Sequence, residues 1–528
     1  MSSLARRSTV YAPREAVATS QPLASSAGLE VLIRGGNAVD AAVAAAGVLN
    51  VVEPHMTGIG GDVFAMVWSA RDRQLVGLDA SGRAGSLLTP EALRANGFTH
   101  MPESGPASVT VPGAISGWGA LLQRYGTMSL AEVLAPAIRI AAEGFPVTPI
   151  IARQWRDQER KLASDVGATA TYLLDGNRGP AAGEWFQNLD LAKSLQMLAD
   201  GGPEAFYGGE LGRTVVDGLM ELGGYLTIDD LAHHSAEWVD PVSIDFRGYS
   251  VWELPPAGQG VAALQMIKMM EPLDLKGMGH NSALYLHHLI EAKKLAFADL
   301  ARYVADRDHM EISVDQLLDE QYLDRRRRLA DPHRATARPQ PGIALTDTET
   351  IYLSAADSEG NMISFINSQF EHFGSGVVVP GTGFTLQNRG AGFTLEDGHP
   401  NQVAPGKRPF HTLLPGFVTR DGVPWMTFGL MGGSMQPQGH TQLMMNILVF
   451  GMDIQDAIDA ARFRHLEGFQ VALESPIGED VRKQLTAMGH EVIDDTELGF
   501  GGAQAIVRLE RGWAAGSDPR KDGMAVGR

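Results

Sequence analysis

Glu349-Thr350-Ile351-Tyr352-Leu353-Ser354-Ala355-Ala356-Asp357-Ser358-Glu359-Gly360-Asn361 decides how this chain is read. The β-branched and aromatic run from Thr350 to Tyr352 predicts a strand, and Asp357 to Asn361 predicts the turn that ends it. A Pro-rich, poorly periodic segment, 331–341, stands just upstream. A threonine at the head of a strand, behind a loose loop, has a chemical use if the chain is cut in front of it. The liberated α-amine, with a pKa of about 8, can take the proton of that threonine's own hydroxyl and make it an amide-attacking nucleophile. The expected cut lies between Glu349 and Thr350. Spacing alone favours the blander alternative, a threonine that only pairs across a sheet.

Working outward, 528 residues suffice for a large buried core or for two closely joined units. Hydrophobic residues make up 44% and charged residues 20%, ordinary for a globular protein. The net charge of -19 argues against nucleic-acid and anionic-membrane partners, which need basic surface. There are no cysteines, which excludes disulfides, thiolate metal sites and a cysteine nucleophile. No apolar run has the length of a signal peptide or a membrane span, so a cytoplasmic protein is expected. The 61 glycines predict many tight turns and a site built partly from main-chain groups.

Upstream of the loop the texture is mainly helical. A helix from Leu23 stops at Gly35-Gly36-Asn37, and a buried Ala/Val helix follows from Ala38. Gly58-Ile59-Gly60-Gly61-Asp62 reads as a tight turn into the strand Val63 to Trp68; with no lysine, phosphate binding is not indicated. Leu75 to Leu78 pairs with that strand. Helical patterns cover 129–142, 189–222, 261–270 and 283–305, with strand texture in 242–252. The pairs His233-His234 and His287-His288 lack a spaced carboxylate or third ligand and read as solvated or packed. Downstream, 350–356, 362–369, 377–379, 384–386, 412–418 and 425–429 read as successive strands. Helices and two last strands follow. A helix-rich first part and a sheet-rich last third, joined by a cleavable loop, are expected.

No Gly-x-Ser-x-Gly elbow, His-Glu-x-x-His or Walker pattern is present. Instead, Gly35-Gly36-Asn37-Ala38-Val39-Asp40, the Glu53-Pro54 to Gly60-Gly61 turn, Val111-Pro112-Gly113 with Gly117-Trp118, and Leu295-Ala296-Phe297-Ala298-Asp299 resemble the large subunit of the γ-glutamyltransferase (glutathione hydrolase) family. Asp357-x-x-Gly360-Asn361, Phe373-Gly374-x-Gly376, Lys407-Arg408-Pro409, Gly432-Gly433-Ser434 and Gly516-Ser517-Asp518-Pro519-Arg520 are similar to its small subunit. The resemblance implies an α+β, four-layer αββα N-terminal-nucleophile hydrolase sandwich. It also implies a zymogen that cuts itself into subunits 1–349 and 350–528, which stay together. Neither cofactor nor metal is implied, and an assembly of several such heterodimers is compatible with it.

By position, Thr350 falls on the family's catalytic threonine. Ser368 falls on a second hydroxyl that supports it, and Gly432 and Gly433 fall on the oxyanion loop. The residues that grip a γ-glutamyl α-amine are replaced by Phe370, Arg389 and Gly392, and a serine pair at the α-carboxylate is replaced by His411-Thr412. Arg83 lies near the family's carboxylate-binding arginine. Arginine grips carboxylates bidentately, so Arg389, with Phe370, His411, Thr412 and Arg83, predicts a pocket for an acid lacking an α-amine. That pattern resembles the branch containing oxamate amidohydrolases and glutaryl-cephalosporin acylases. The expected activity is hydrolysis of a small acidic amide through an acyl-enzyme. The alternatives are a γ-glutamyl hydrolase or transpeptidase, and a non-catalytic binding homologue.

Overall fold

The computed structural model describes residues 7–337, 350–494 and 499–528. Glu349, and with it one side of the expected cut, lies outside the described residues. Upstream of Thr350 the strands of the two large sheets are β1 (Val10–Ala12), β2 (Ala16–Thr19), β3 (Asp62–Ser69), β4 (Gln74–Ala80), β5 (Glu237–Val239), β6 (Val242–Phe246) and β7 (Tyr249–Glu253). Downstream are β8 (Ile351–Ala356), β9 (Met362–Ser368), β10 (Pro415–Arg420), β11 (Val423–Met431), β12 (Gly502–Arg508), β13 (Trp513–Ser517) and β14 (Met524–Gly527). They form two antiparallel 7-stranded sheets, in the orders β14-β2-β8-β9-β3-β4-β5 and β1-β13-β12-β11-β10-β7-β6.

The layering follows from side-chain alternation. Along β8, Ile351, Leu353 and Ala355 join one hydrophobic cluster while Tyr352 and Ala356 join another, as the period of two along a strand requires. The first cluster packs the first sheet against helices α1 (Pro22–Ile33), α2 (Ala38–Val52), α3 (Leu130–Glu143) and α4 (Leu189–Gly201). The second lies between the sheets, where Phe64, Met66, Tyr352 and Ile366 meet Leu413, Phe417 and Ile506. A third cluster packs the other face of the second sheet, through Val251, Val418, Phe428 and Ala505, against α5 (Gly260–Met270), α6 (Ala283–Tyr303) and α7 (Met435–Met444). The result is the expected αββα sandwich.

α2 is apolar nearly all round, as a helix buried on every side must be. Gly35, at φ 95, ends the preceding helix as expected. Asn37 then starts α2 with a reciprocal capping box to Asp40.

Three expectations need correction. Residues 377–379 and 384–386 are not strands: Gly374 and Gly376 before the valines, and Gly381 and Gly383 between them and Phe384, all have positive φ and break the pleat. Gly383 instead offers its carbonyl to Tyr172 and Asn188. The helical run 189–222 is three helices, interrupted at Gly202-Pro203 and Gly208-Gly209. The sheet content is not confined to the last third either. Upstream strands supply four positions of the first sheet and three of the second, interleaved with downstream ones. Short strands such as β1 and β2 escape notice because their pairing partners lie more than 300 residues away.

Candidate active site

Strand register places the central residues. β8 pairs with β9 through Ile351↔Asn367, and β9 pairs with β3 through Ser368↔Asp62. Thr350, Ser368 and Asp62 therefore form a cross-strand row on the face between the sheets, neighbours stepping about 4.8 Å apart. All three are fully buried. Thr350 Oγ1 donates to Ser368 Oγ at 3.1 Å, and Ser368 Oγ also accepts from Phe370 N at 2.8 Å. Phe370 has φ 85, a strained backbone for an aromatic residue, of the kind found at functional sites.

The turn from β11 into α7 carries Gly432 at φ 119 and Gly433 at φ 51. The first lies in a region open essentially to glycine alone. The carbonyls of the pair accept from Met435 and Gln436, closing the helix's first turn. Gln259 Nε2 ties this turn to the next segment by donating to Gly433 O at 2.9 Å and to Thr412 O at 2.7 Å.

Arg389 heads a short 3-10 turn, Arg389–Gly392, and is fully buried. Its guanidinium stacks 4.5 Å from the Phe370 ring centroid, and Nη1 donates to Thr412 Oγ1 at 2.8 Å. Among the described residues Nε and Nη2 have no partner. Burial pulls Arg389 down to about 9, opposed by the charges of Asp62 and Glu371. Gly392 packs with its α-carbon against the Phe410 carbonyl, where a Cβ would sit 2.6 Å from that oxygen.

His411 presents no free nitrogen. Nε2 lies 3.1 Å from Asp62 Oδ2, and Nδ1 accepts from Leu413 N at 3.2 Å. A backbone N–H can only donate, so the proton sits on Nε2 and points at Asp62. Burial, with Arg389 and Arg408 nearby, holds His411 well below the ordinary imidazole range, hence neutral. Asp62 Oδ1 takes three further donors, Gly82 N at 3.0 Å, Gly113 N at 3.1 Å and Gln387 Nε2 at 3.0 Å. Burial pushes Asp62 up to about 7 against the pull of Arg389 and these donors.

Sequence reasoning passed over Asp62, Gln259 and Gln387. Asp62 was legible only as the end of a glycine turn, and its signal is a carboxylate opening an otherwise apolar strand. Arg83 sits apart from the hydrogen-bonded cluster around Arg389. It donates to Gly406 O and pairs with Glu237 at 3.0 Å and Asp306 at 3.5 Å, lining a separately delineated cavity of about 460 Å³ with Thr227, Asp230 and His234.

The histidine pairs divide. His233 caps its helix through the Asp229 carbonyl, while His234 stacks on Tyr207 and bonds Ser116. His287 does have a spaced carboxylate, Glu291 one turn on, and His490 completes a buried cluster whose ligand-type atoms lie within 4.8 Å of one another. Glu291 is already bound by Lys294 and Thr336, and His287 by His490 and the Asp331 carbonyl. That arrangement ties segment 331–336 to α6.

A sandwich of this kind, with a strand-leading threonine hydroxyl buried between its sheets, is the arrangement expected of an N-terminal-nucleophile amidohydrolase. The chain matches Gamma-glutamyltranspeptidase over residues 24–528. It is 38% identical over 532 residues to the glutathione hydrolase-like YwrD proenzyme of Bacillus subtilis, covering 98% of this chain and 99% of that one. It is 35% identical over 520 residues to the oxamate amidohydrolase proenzyme of Klebsiella pneumoniae, covering 96% and 97%. The crystal structure of a cephalosporin acylase from Bacillus halodurans superimposes with a TM-score of 0.95 at 43% identity, covering 100% and 98%. The chain belongs to the γ-glutamyltranspeptidase family, as an enzyme that hydrolyses amide bonds. Among the described residues no helix is long and apolar enough to cross a membrane.

Proposed function

We propose that the precursor cuts itself between Glu349 and Thr350 and that the mature enzyme hydrolyses a small acidic amide, oxamate-like or glutaryl-like, with water as acceptor. In this reading the freed Thr350 amine takes the Oγ1 proton and Oγ1 attacks the substrate carbonyl. The N–H groups of the Gly432-Gly433 turn hold the developing oxyanion. The amine returns the proton to the departing nitrogen, leaving an acyl ester on Thr350. Water, deprotonated by the same amine, then releases the acid and restores the hydroxyl. The first cut differs, because the Thr350 nitrogen is then still an amide. Oγ1 attacks the Glu349 carbonyl, and the C–N bond breaks with the hydroxyl proton passing to the departing nitrogen. Water hydrolyses the resulting ester, restoring the hydroxyl and leaving the free amine.

The observation that carries the substrate assignment is the unpartnered edge of Arg389, Nε and Nη2 together, fully buried beside Phe370. A buried guanidinium with two unused donors calls for an anion, and a carboxylate satisfies both at once. Hydrolysis assays on oxamate, a glutaryl amide and a γ-glutamyl anilide test this. Turnover of an acidic amide is expected, and activity on the γ-glutamyl compound alone would refute it. N-terminal sequencing of the smaller fragment tests the cut.

A further inference from the structure

We propose that Asp62 is a positioning residue of the acyl pocket, fixing through His411 and Thr412 which edge of Arg389 faces the substrate. This rests on Arg389 being the carboxylate site. The route is two sets of hydrogen bonds joined through the 411–413 backbone. Asp62 Oδ1 is filled by Gly82 N, Gly113 N and Gln387 Nε2, and Oδ2 accepts from His411 Nε2–H. His411 Nδ1 accepts from Leu413 N, which, together with His411 N donating to Ala257 O at 3.0 Å, pins the 411–413 backbone. Thr412 Oγ1 then holds Arg389 Nη1 at 2.8 Å. What remains of the guanidinium is the Nε/Nη2 edge, two adjacent parallel donors.

Asparagine at position 62 is nearly isosteric with aspartate and still cannot serve both ends. With its oxygen toward Gly82 and Gly113, its NH₂ meets His411, which must then carry its proton on Nδ1 and face Leu413 N–H. With the amide reversed, the NH₂ meets the two glycine N–H groups. Either way two donors confront each other in a buried site, and the strain passes through Thr412 to Arg389.

The experiment uses the full chain, taken through processing. Asp62→Asn is expected to raise KM for oxamate or a glutaryl amide about tenfold, and to lower kcat/KM for a neutral amide of the same size by a clearly smaller factor. Thr412→Val, which removes only the last link, should do the same if Asp62→Asn fails to fold. In an Arg389→Met background the Asp62→Asn effect should vanish. NMR of ¹⁵N-histidine-labelled protein, with His411 assigned by its loss in His411→Asn, should show the Nε2–H tautomer in wild type. Equal losses on acidic and neutral amides overturn the proposal, as does an Nδ1–H or charged His411 in wild type. If Arg389→Met keeps the preference for acidic amides, the substrate reading itself falls. If Arg389→Met loses it while Asp62→Asn and Thr412→Val retain it, only the role of Asp62 falls.

Discussion

Replacing Arg389 with lysine keeps a positive charge beside Asp62 and removes the fork. Arg389 offers two unpartnered donors on one edge, held in place by the Phe370 ring and Thr412. A lysine ammonium in the same dry space can meet one substrate oxygen and leaves the other bare. One lost charge-assisted hydrogen bond is worth about 1.5–3 kcal/mol, so kcat/KM for an acidic amide should fall roughly 10- to 150-fold. The ammonium is more strongly hydrated than a guanidinium, which places the expected loss in the upper half of that range. The carboxylate is held alike in ground and transition states, so most of the loss should appear in KM. Initial rates on processed Arg389→Lys enzyme, with oxamate, a glutaryl amide and a neutral amide of similar size, provide the measurement. Rates within threefold of wild type on the acidic amides would refute the carboxylate assignment. So would an equal loss on the neutral one.

Thr350→Ala should stay a single band of 56.6 kDa and be inert, where wild type should give fragments of roughly 37 and 19 kDa on a denaturing gel, at the chain's mean of about 107 Da per residue. Ser368→Ala removes the partner of the Thr350 hydroxyl and strands the Phe370 N–H; slower processing and a stability loss of about 1–3 kcal/mol in urea titration are expected. Gly432→Ala places a side chain at φ 119 in the oxyanion turn, and kcat should fall about 10²–10³-fold, measured on whatever fraction is processed. Burial holds His440 down to about 3 where it meets Glu253, so it stays neutral when folded and takes a proton on unfolding below its usual 6.5. Its partner Glu253, pushed by burial well above the ordinary carboxyl range, releases a proton on unfolding above 4.5 and offsets this uptake. His440→Gln should therefore shift the pH slope of stability by up to about 1.4 kcal/mol per pH unit, toward greater stability at the lower pH, in urea midpoints at pH 7, 6 and 5.

Local chemistry made much of this fold legible. Gly35 at its helix end, the all-round apolar α2 and the β-branched start of β8 each announce their structure within a few residues. The valines at 377–379 misled because strand propensity is a statement about neighbours, and the neighbours here are glycines with positive φ. The site divides the same way. Thr350 and Ser368 could be matched to motifs, and strand register brings them together. Asp62 could not, because its meaning comes from Gly82, Gly113, Gln387 and His411, which reach it from four separate parts of the chain. Arg83 was an arginine in the right neighbourhood, yet Glu237 and Asp306 claim its charge, and those partners are 154 and 223 residues distant.

The interleaving of strands has a consequence for the molecule's history. β8 lies between β2 and β9, and β9 between β8 and β3, so strands on opposite sides of Thr350 are laced through both sheets. A break before Thr350 would be a nick in a woven fabric, and neither piece could leave without tearing two sheets apart. Partners joined that way cannot be traded between copies. A defective large piece could not borrow a sound small piece from a neighbouring molecule, and each copy would keep for life the strands it was synthesised with.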